Sequence, residues 1–214
     1  MVITWLGHSC FKIQSGEFVI VTDPFSKDIG LTPPRFRADI VLSTHGHYDH
    51  SNTEALTGDP FIISGPGEYE ARGVYIHGLT TFHDKNQGKE RGTNTIYKIL
   101  VEGINLVHLG DFGEKELRST TLEEIGDADI LIVPVGGKYT IDAEEAAKAV
   151  KQIEPKLVIP MHYKIPGLKI TLEGVDAFLK ELGAGKIEAQ EKLVIKKKDL
   201  GEGEKTKVVL MKPA

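Results

Sequence analysis

The first half of the chain is dominated by short segments in which apolar residues alternate with polar ones or run together. Residues 2–6, 10–13 and 17–22 have the β-branched and aromatic content and the flanking turn residues that are typical of strands. Further strands are predicted at residues 39–43, 61–64, 73–82, 95–101 and 106–109, with a short helix at 52–56 and a turn at 103–105. The first half is therefore predicted to consist mainly of β-structure.

Helical periodicity appears in the second half. The clearest helix spans residues 142–153, where Asp142 is a suitable N-cap. The remaining predicted elements are helices at 117–125 and 172–182, buried strands in the apolar runs ADILIVPV and KLVIPM, and terminal strands at 192–195 and 208–211. Strands followed by alternating helices and strands predict an α/β (α+β) fold. We expect two packed sheets with helices outside, in one domain spanning residues 1–214.

Composition restricts the class of protein further. The 214 residues, 40% of them hydrophobic, are enough for one substantial core. A net charge of −5 disfavours binding to nucleic acid through a broad basic surface. The expected partner is a small-molecule substrate. The lone Cys10 excludes an intramolecular disulfide and a cysteine-rich metal site. The sequence shows neither a signal peptide nor a membrane span, which predicts a cytoplasmic protein without membrane contact, while a homo-oligomer stays open.

The segment HGHYDH at residues 45–50 places three imidazoles and a carboxylate directly after an apolar run. Neutral imidazole and carboxylate are ligands that suit zinc, iron or manganese. A tight loop can direct such neighbours apart, so that His45 and His47 bind one cation while Asp49 and His50 reach a second. The alternative is a histidine-rich solvated loop, which the aspartate inside the cluster disfavours.

Three more candidate ligands lie at predicted strand ends. They are His83, Asp111 and His162. Strand ends on one rim of a sheet sandwich can converge in space, as loops on a rigid scaffold commonly do at active sites. One metal would then be bound by His45, His47 and His83, and the other by Asp49, His50 and His162, with Asp111 bridging the two. Two cations that share a water lower its pKa from the bulk value toward about 7.

These motifs resemble a known family. HGHYDH, then His83, HLGD and PMHY are similar to the motifs of the metallo-β-lactamase superfamily. LGHSCF (residues 6–11), PVGGKYTIDAEEA (134–146) and IPMHY (159–163) resemble, more narrowly, its ascorbate-6-phosphate lactonase-like branch. The resemblance implies an αββα sandwich, two mixed sheets with helices outside, and a dinuclear site at one edge. Phe112 departs from the pattern, because many relatives have threonine there.

Other residues gain a role from this resemblance. His8 matches the N-terminal histidine of the branch and is expected to contact the substrate or a ligand as a catalytic group; a buried, hydrogen-bonded histidine is the alternative. His108 is either close to the metals or a core histidine. Asp23 is expected to brace the histidine loop, since metal-bound imidazoles usually donate their second N–H to a carboxylate or carbonyl.

Two glycine-rich segments, residues 65–70 and 136–140, are expected to line the substrate cleft. Neither has the spacing of a nucleotide-phosphate loop. Within the second segment, Lys138 either contacts an anionic group of the substrate or is a solvated turn residue.

The expected function is a metal-dependent hydrolase that cleaves a lactone, ester or phosphodiester bond of a small, anionic substrate. A pair of divalent metal ions, zinc first and manganese or iron as alternatives, would activate a bridging hydroxide that Asp49 orients. Two other functions remain open on this fold. They are a mononuclear iron oxidoreductase of the persulfide dioxygenase type and a catalytically silent binding protein, and the full set of ligands disfavours both.

Overall fold

Six strands form the first sheet in a computed structural model that describes residues 1–201 and 205–214. Numbered along the chain, they are β1 (Val2–Gly7), β2 (Cys10–Ser15), β3 (Phe18–Thr22), β4 (Ile40–Leu42), β5 (Phe61–Ile63) and β12 (Leu193–Val194). Their order is β12-β1-β2-β3-β4-β5. The sheet is mixed, because β3, β4 and β5 run parallel and the other neighbours antiparallel.

Seven strands form the second sheet. They are β6 (Gly67–Ala71), β7 (Val74–Phe82), β8 (Thr93–Val101), β9 (Ile104–His108), β10 (Ile130–Pro134), β11 (Leu157–Met161) and β13 (Lys207–Val208). Their order is β13-β11-β10-β9-β8-β7-β6. The four strands from β13 to β9 are parallel, whereas β9 to β6 form an antiparallel meander.

The main core lies between the two sheets and contains buried residues of both. In β1 every second side chain is buried, so Ile3 and Trp5 face the second sheet. The Trp5 ring packs on Tyr163 at a centroid distance of 5.0 Å, and Phe11 meets the edge of the His108 ring at 6.0 Å. The predicted sandwich of two packed mixed sheets is confirmed.

Three α-helices lie together beside the second sheet: α1 (Ser119–Ile125), α2 (Ala143–Ile153) and α3 (Asp176–Glu181). The predicted N-cap is confirmed, since Asp142 forms a capping box with Glu145. On the outer face of the first sheet, 3-10 helices at Lys27–Ile29 and Thr53–Ala55 accompany a second cluster of buried apolar residues. The predicted helix at 52–56 is thus a 3-10 turn.

Several predicted boundaries are wrong. Residues 65–70 are not simply a loop, because β6 begins at Gly67 as an edge strand whose exposed residues include Glu68 and Glu70. Charged residues on an edge discourage pairing with other chains and also conceal a strand from pattern analysis. Strand β9 already begins inside the turn predicted at 103–105, and helix α3 is shorter than the predicted 172–182. The last predicted strand, at 208–211, is found as β13 and a single bridge from Met211 to Gln190.

None of the helices in the described residues is both long and apolar enough to cross a membrane.

Candidate metal centre

The predicted ligands follow strand ends of both sheets. β4 of the first sheet ends shortly before the histidine loop, and β7 and β11 of the second sheet end one residue before His83 and His162. These strand ends converge at one edge of the sandwich. The structure brings together all of the predicted ligands: His45, His47, Asp49, His50, His83, Asp111 and His162.

One group of imidazoles consists of His45, His47 and His83. Each offers a ring nitrogen, and these three atoms lie within 4.8 Å of one another. The ring centroids of His45 and His83 are 4.7 Å apart, and those of His45 and His47 are 4.6 Å apart with nearly perpendicular planes. Three convergent nitrogens of this kind are a typical arrangement for binding a transition metal.

A second group consists of His8, His50 and His162, whose ligand atoms also lie within 4.8 Å of one another. Asp49 adjoins it, with Oδ2 at 3.2 Å from His8 Nε2 and at 3.6 Å from His50 Nε2. The sequence predicted Asp49, His50 and His162 for this position. The structure adds a third imidazole, that of His8.

Asp111 lies between the two groups. Its Oδ2 is 3.4 Å from Nε2 of His83, which belongs to the first group. The same oxygen is 3.2 Å from His162 Nε2 and 3.4 Å from His50 Nε2, both in the second group. A carboxylate in this position can contact cations bound by either group.

Several buried polar side chains fix the ligands from behind. His50 Nδ1 lies 3.1 Å from Oδ2 of Asp23, as expected for the brace. Asp23 also accepts hydrogen bonds from the backbone N–H and the hydroxyl of Thr44, and that hydroxyl lies 3.0 Å from His45 Nδ1. One buried carboxylate therefore orients ligands of both groups.

Asn94 fixes Asp111 and was missed by the sequence analysis. It is buried on β8, donates to Leu109 O and Thr81 Oγ1, and accepts from the backbone N–H of Asp111. Only the pairing of β8 with β9 reveals this contact, because Asn94 has no distinguishing sequence context.

Burial and charge set the protonation of the cluster. Burial lowers the pKa of His45 to about 3 and that of His8 to about 4, and it also lowers the pKa of His83. These imidazoles are therefore neutral at neutral pH, which is the form that binds metal. For His50, burial acts in the same direction, but the carboxylates of Asp111 and Asp23 outweigh it and raise its pKa.

The donor set fits divalent transition metals. It contains only imidazole nitrogens and carboxylate oxygens. Several of these residues have a buried polar atom without a hydrogen-bond partner in the described part of the chain, including His45 Nε2 and Asp111 Oδ1. Buried polar atoms without partners are costly, and a bound cation would satisfy them.

Comparison with known proteins identifies the family of the chain. Residues 2–162 match the family model of the β-lactamase superfamily domain. The chain belongs to the metallo-β-lactamase superfamily. It is 32% identical to the UPF0173 metal-dependent hydrolase of Thermoplasma acidophilum, an alignment that covers 75% of this chain and 82% of the relative. It is thus a metal-dependent hydrolase of this superfamily.

Solved structures agree with this assignment. A candidate zinc-dependent hydrolase of the metallo-β-lactamase superfamily from Thermotoga maritima superimposes with a TM-score of 0.79 and 38% identity, covering 98% of this chain and 97% of that one. A candidate metal-dependent hydrolase from Parabacteroides distasonis, with 21% identity and a TM-score of 0.64, shares the fold over 98% of this chain and 93% of its own. The narrower resemblance to ascorbate-6-phosphate lactonase-like proteins stays a prediction.

The position of His8 is not the one expected for a residue that contacts substrate. In this hydrolase its side chain is fully buried, behind Asp49 and His50, and does not line the cleft. Its carbonyl oxygen accepts from the backbone N–H of His162 and from the Trp5 indole. The alternative of a buried, hydrogen-bonded histidine describes it correctly, and a ligand contact of His8 remains compatible with this position.

His108 is a core histidine. Its Nδ1 accepts from the backbone N–H of Gly110, which assigns the ring proton to Nε2, 3.0 Å from the carbonyl oxygen of Ser9. Both ring nitrogens are thus used within the protein. The Phe112 side chain lies in the main core, where it contributes to packing.

A cleft of about 690 Å³ opens onto the metal centre. Its lining includes Asp49, Asp111 and His162 from the centre, and Tyr139 from the segment 136–140. Lys138 lines a neighbouring depression instead, and residues 65–70 do not contribute to this cleft. The predicted contact between Lys138 and a substrate in the cleft is therefore not supported.

Two glycines of the hydrolase are expected to differ in their tolerance of a methyl group. A Cβ on Gly136 would overlap the carbonyl oxygen of His162, whereas one on Gly46 has no described atom within 4 Å. Gly136→Ala should lower the free energy of unfolding by about 1–3 kcal/mol and reduce metal content, since His162 must shift. Gly46→Ala, the matched control in the histidine loop, should change stability by less than about 0.5 kcal/mol. Thermal unfolding and elemental analysis of both variants test this, and equal behaviour would contradict it.

Proposed function

We propose that this hydrolase uses two divalent cations, one bound by His45, His47 and His83 and the other by His50, His162 and Asp49, with Asp111 between them. The position of Asp111 carries this proposal. Its Oδ2 lies within 3.4 Å of ring nitrogens from both groups, so one carboxylate can serve both positions. A single tetrahedral ion would leave several of these ligands unused.

The reaction proposed is hydrolysis of a lactone, ester or phosphodiester bond. A bound cation pair supplies Lewis-acid polarisation of the scissile group and lowers the pKa of water toward about 7. Asp49 faces the cleft, and although burial alone would raise its pKa, the neighbouring imidazoles of His50 and His8 hold the pKa well below its usual range. As a permanent carboxylate it can orient an attacking water and accept a hydrogen bond from it.

The size of the cleft supports a small substrate. Ligand sites of this kind typically have volumes of about 300–1,000 Å³. Zinc is the proposed metal, with manganese and iron as alternatives, and the description of the Thermotoga maritima relative as a candidate zinc-dependent hydrolase supports it.

Metal stoichiometry and a substrate panel test this proposal. The protein is reconstituted with zinc or manganese, dialysed and subjected to elemental analysis; close to two equivalents are expected. Firm saturation at one equivalent, above all of iron, would instead favour a mononuclear oxidoreductase.

The loaded protein is then offered lactones, simple esters and phosphodiesters, with the chelated protein as control. Turnover that is lost on chelation and restored by metal is expected for the small substrates. Cleavage of long-chain lipid esters alone would contradict a small anionic substrate, and no turnover of any class would favour a binding protein.

A further inference from the structure

The loop between His83 and Gly92 is organised around one carboxylate. Asp84 is buried and accepts four backbone hydrogen bonds from within the loop, from the N–H groups of Asn86, Gly88, Glu90 and Arg91, at 2.8–3.0 Å. Across the loop ends, the backbone N–H of His83 donates to the carbonyl oxygen of Gly92. The loop is therefore a preorganised unit with a candidate metal ligand at one end and Arg91 at the other.

Arg91 extends from this loop into the wall of the metal-centre cleft. Its guanidinium lies over the ring of Tyr139, with 5.5 Å between the guanidinium carbon and the ring centroid. An aromatic face attracts and orients a guanidinium in this way. The guanidinium of Arg91 lies 3.9 Å from the carboxylate of Glu90, and both groups are partly exposed. Such an ion pair is weak, so Arg91 remains able to bind another anion.

The charges in the lining of the cleft favour an anion. Lys169, from the segment after His162, is a second cation in the lining. The carboxylates in the lining are Asp49 and Asp111, which are assigned to the cations, and Asp28, which adjoins Ile29, the residue whose carbonyl oxygen accepts from the backbone N–H of Lys169. Once the cations balance the first two, the cleft is positive.

We propose that Arg91, supported by Tyr139, binds an oxyanion that the substrate carries apart from its scissile bond. This proposal rests on the proposed hydrolytic function and names its substrate class: an ester or lactone that also bears a carboxylate or phosphate group. A planar guanidinium can donate two parallel hydrogen bonds to either oxyanion, which the ammonium of a lysine cannot. Arg91 is thus a specificity-determining residue of the cleft.

Two chromogenic esters that differ by one carboxylate provide the kinetic test. 4-Nitrophenyl acetate is neutral, whereas mono-4-nitrophenyl glutarate carries a carboxylate at the far end of its acyl chain, and both release the same leaving group. Arg91→Met should lower kcat/KM for the glutarate ester by about 10–100-fold, the usual effect of losing a charge-assisted hydrogen bond, and leave the acetate ester nearly unchanged. Arg91→Lys should restore part of the difference. Lys138→Met is the matched control, since Lys138 adjoins Tyr139 outside the cleft, and it should affect neither ester.

Binding provides a readout that does not need turnover. Monomethyl glutarate and methyl phosphate are titrated into the metal-loaded protein by calorimetry, and Arg91→Met should weaken whichever of them binds by about 10–100-fold. The two compounds distinguish a carboxylate from a phosphate as the recognised group. If neither ester is hydrolysed but Arg91→Met still weakens binding, the hydrolytic function fails and the anion site stands. Equal loss for both esters with reduced metal content, or no change in either measurement, would overturn the assignment of Arg91.

Discussion

Asp111→Asn is expected to abolish nearly all hydrolysis and to reduce the content of bound metal. The asparagine has the same size but carries no charge, and it replaces a carboxylate that contacts ring nitrogens of both histidine groups. Removal of a residue that only hydrogen-bonds to a metal ligand typically lowers activity about 10–100-fold. The loss of activity in Asp111→Asn should be larger than this. Activity on a small ester and elemental analysis of the reconstituted variant measure the two effects.

The same variant should lose stability when free of metal. Burial alone would raise the pKa of Asp111, but His162 and His50 outweigh it and lower this pKa. A carboxyl group with a lowered pKa stabilises the fold above its ordinary pKa of about 3.9, and that contribution is lost only as the pH falls through the lowered value. At neutral pH the asparagine removes this contribution, so the free energy of unfolding should fall by about 1–3 kcal/mol in the presence of chelator.

Asp129→Asn is the matched control for this prediction. Asp129 is a buried carboxylate remote from the metal centre, and it contacts Lys156, Lys197 and the backbone N–H of Asn105. Its replacement should also lower stability, but metal content and turnover should remain as in the unmodified protein. Near-normal turnover and metal content in Asp111→Asn would show that the bridging role belongs to another residue.

The convergence of the candidate metal ligands could be predicted because most of them are neighbours in the sequence. His45, His47, Asp49 and His50 occupy one loop, and any fold that places this loop at a strand end brings them together. His83 and His162 are isolated in the sequence, and they were marked by their positions at predicted strand ends together with the family pattern. The structure confirms that they lie beside the loop.

The cleft wall could not be predicted in the same way. Lys138 has φ = 58°, a left-handed conformation in a tight turn, and in this turn Tyr139 lines the cleft while Lys138 lines the neighbouring depression. Arg91 reaches the cleft because the Asp84 carboxylate accepts hydrogen bonds from the backbone of Glu90 and Arg91 and so closes the loop. The segment has no hydrophobic periodicity from which this loop could be predicted. Likewise, the burial of His8 depends on the packing of the β1–β2 turn against the end of β11, where the backbone of His162 donates to His8.

His162→Ala and His108→Ala are expected to fail in different ways, although both remove a buried imidazole that follows or ends a strand of the second sheet. His162 faces Asp111 and belongs to the second histidine group, so its loss should leave at most about one equivalent of metal bound with activity largely lost. His108 instead bonds Ser9 and Gly110, and its loss creates a cavity and two unpaired backbone groups. That variant should lose about 2–5 kcal/mol of stability while its folded fraction keeps close to two equivalents of metal.

Elemental analysis of the folded fraction, isolated by size-exclusion chromatography, distinguishes the two variants. Close to two equivalents of metal in the folded fraction of both variants would remove His162 from the ligand set.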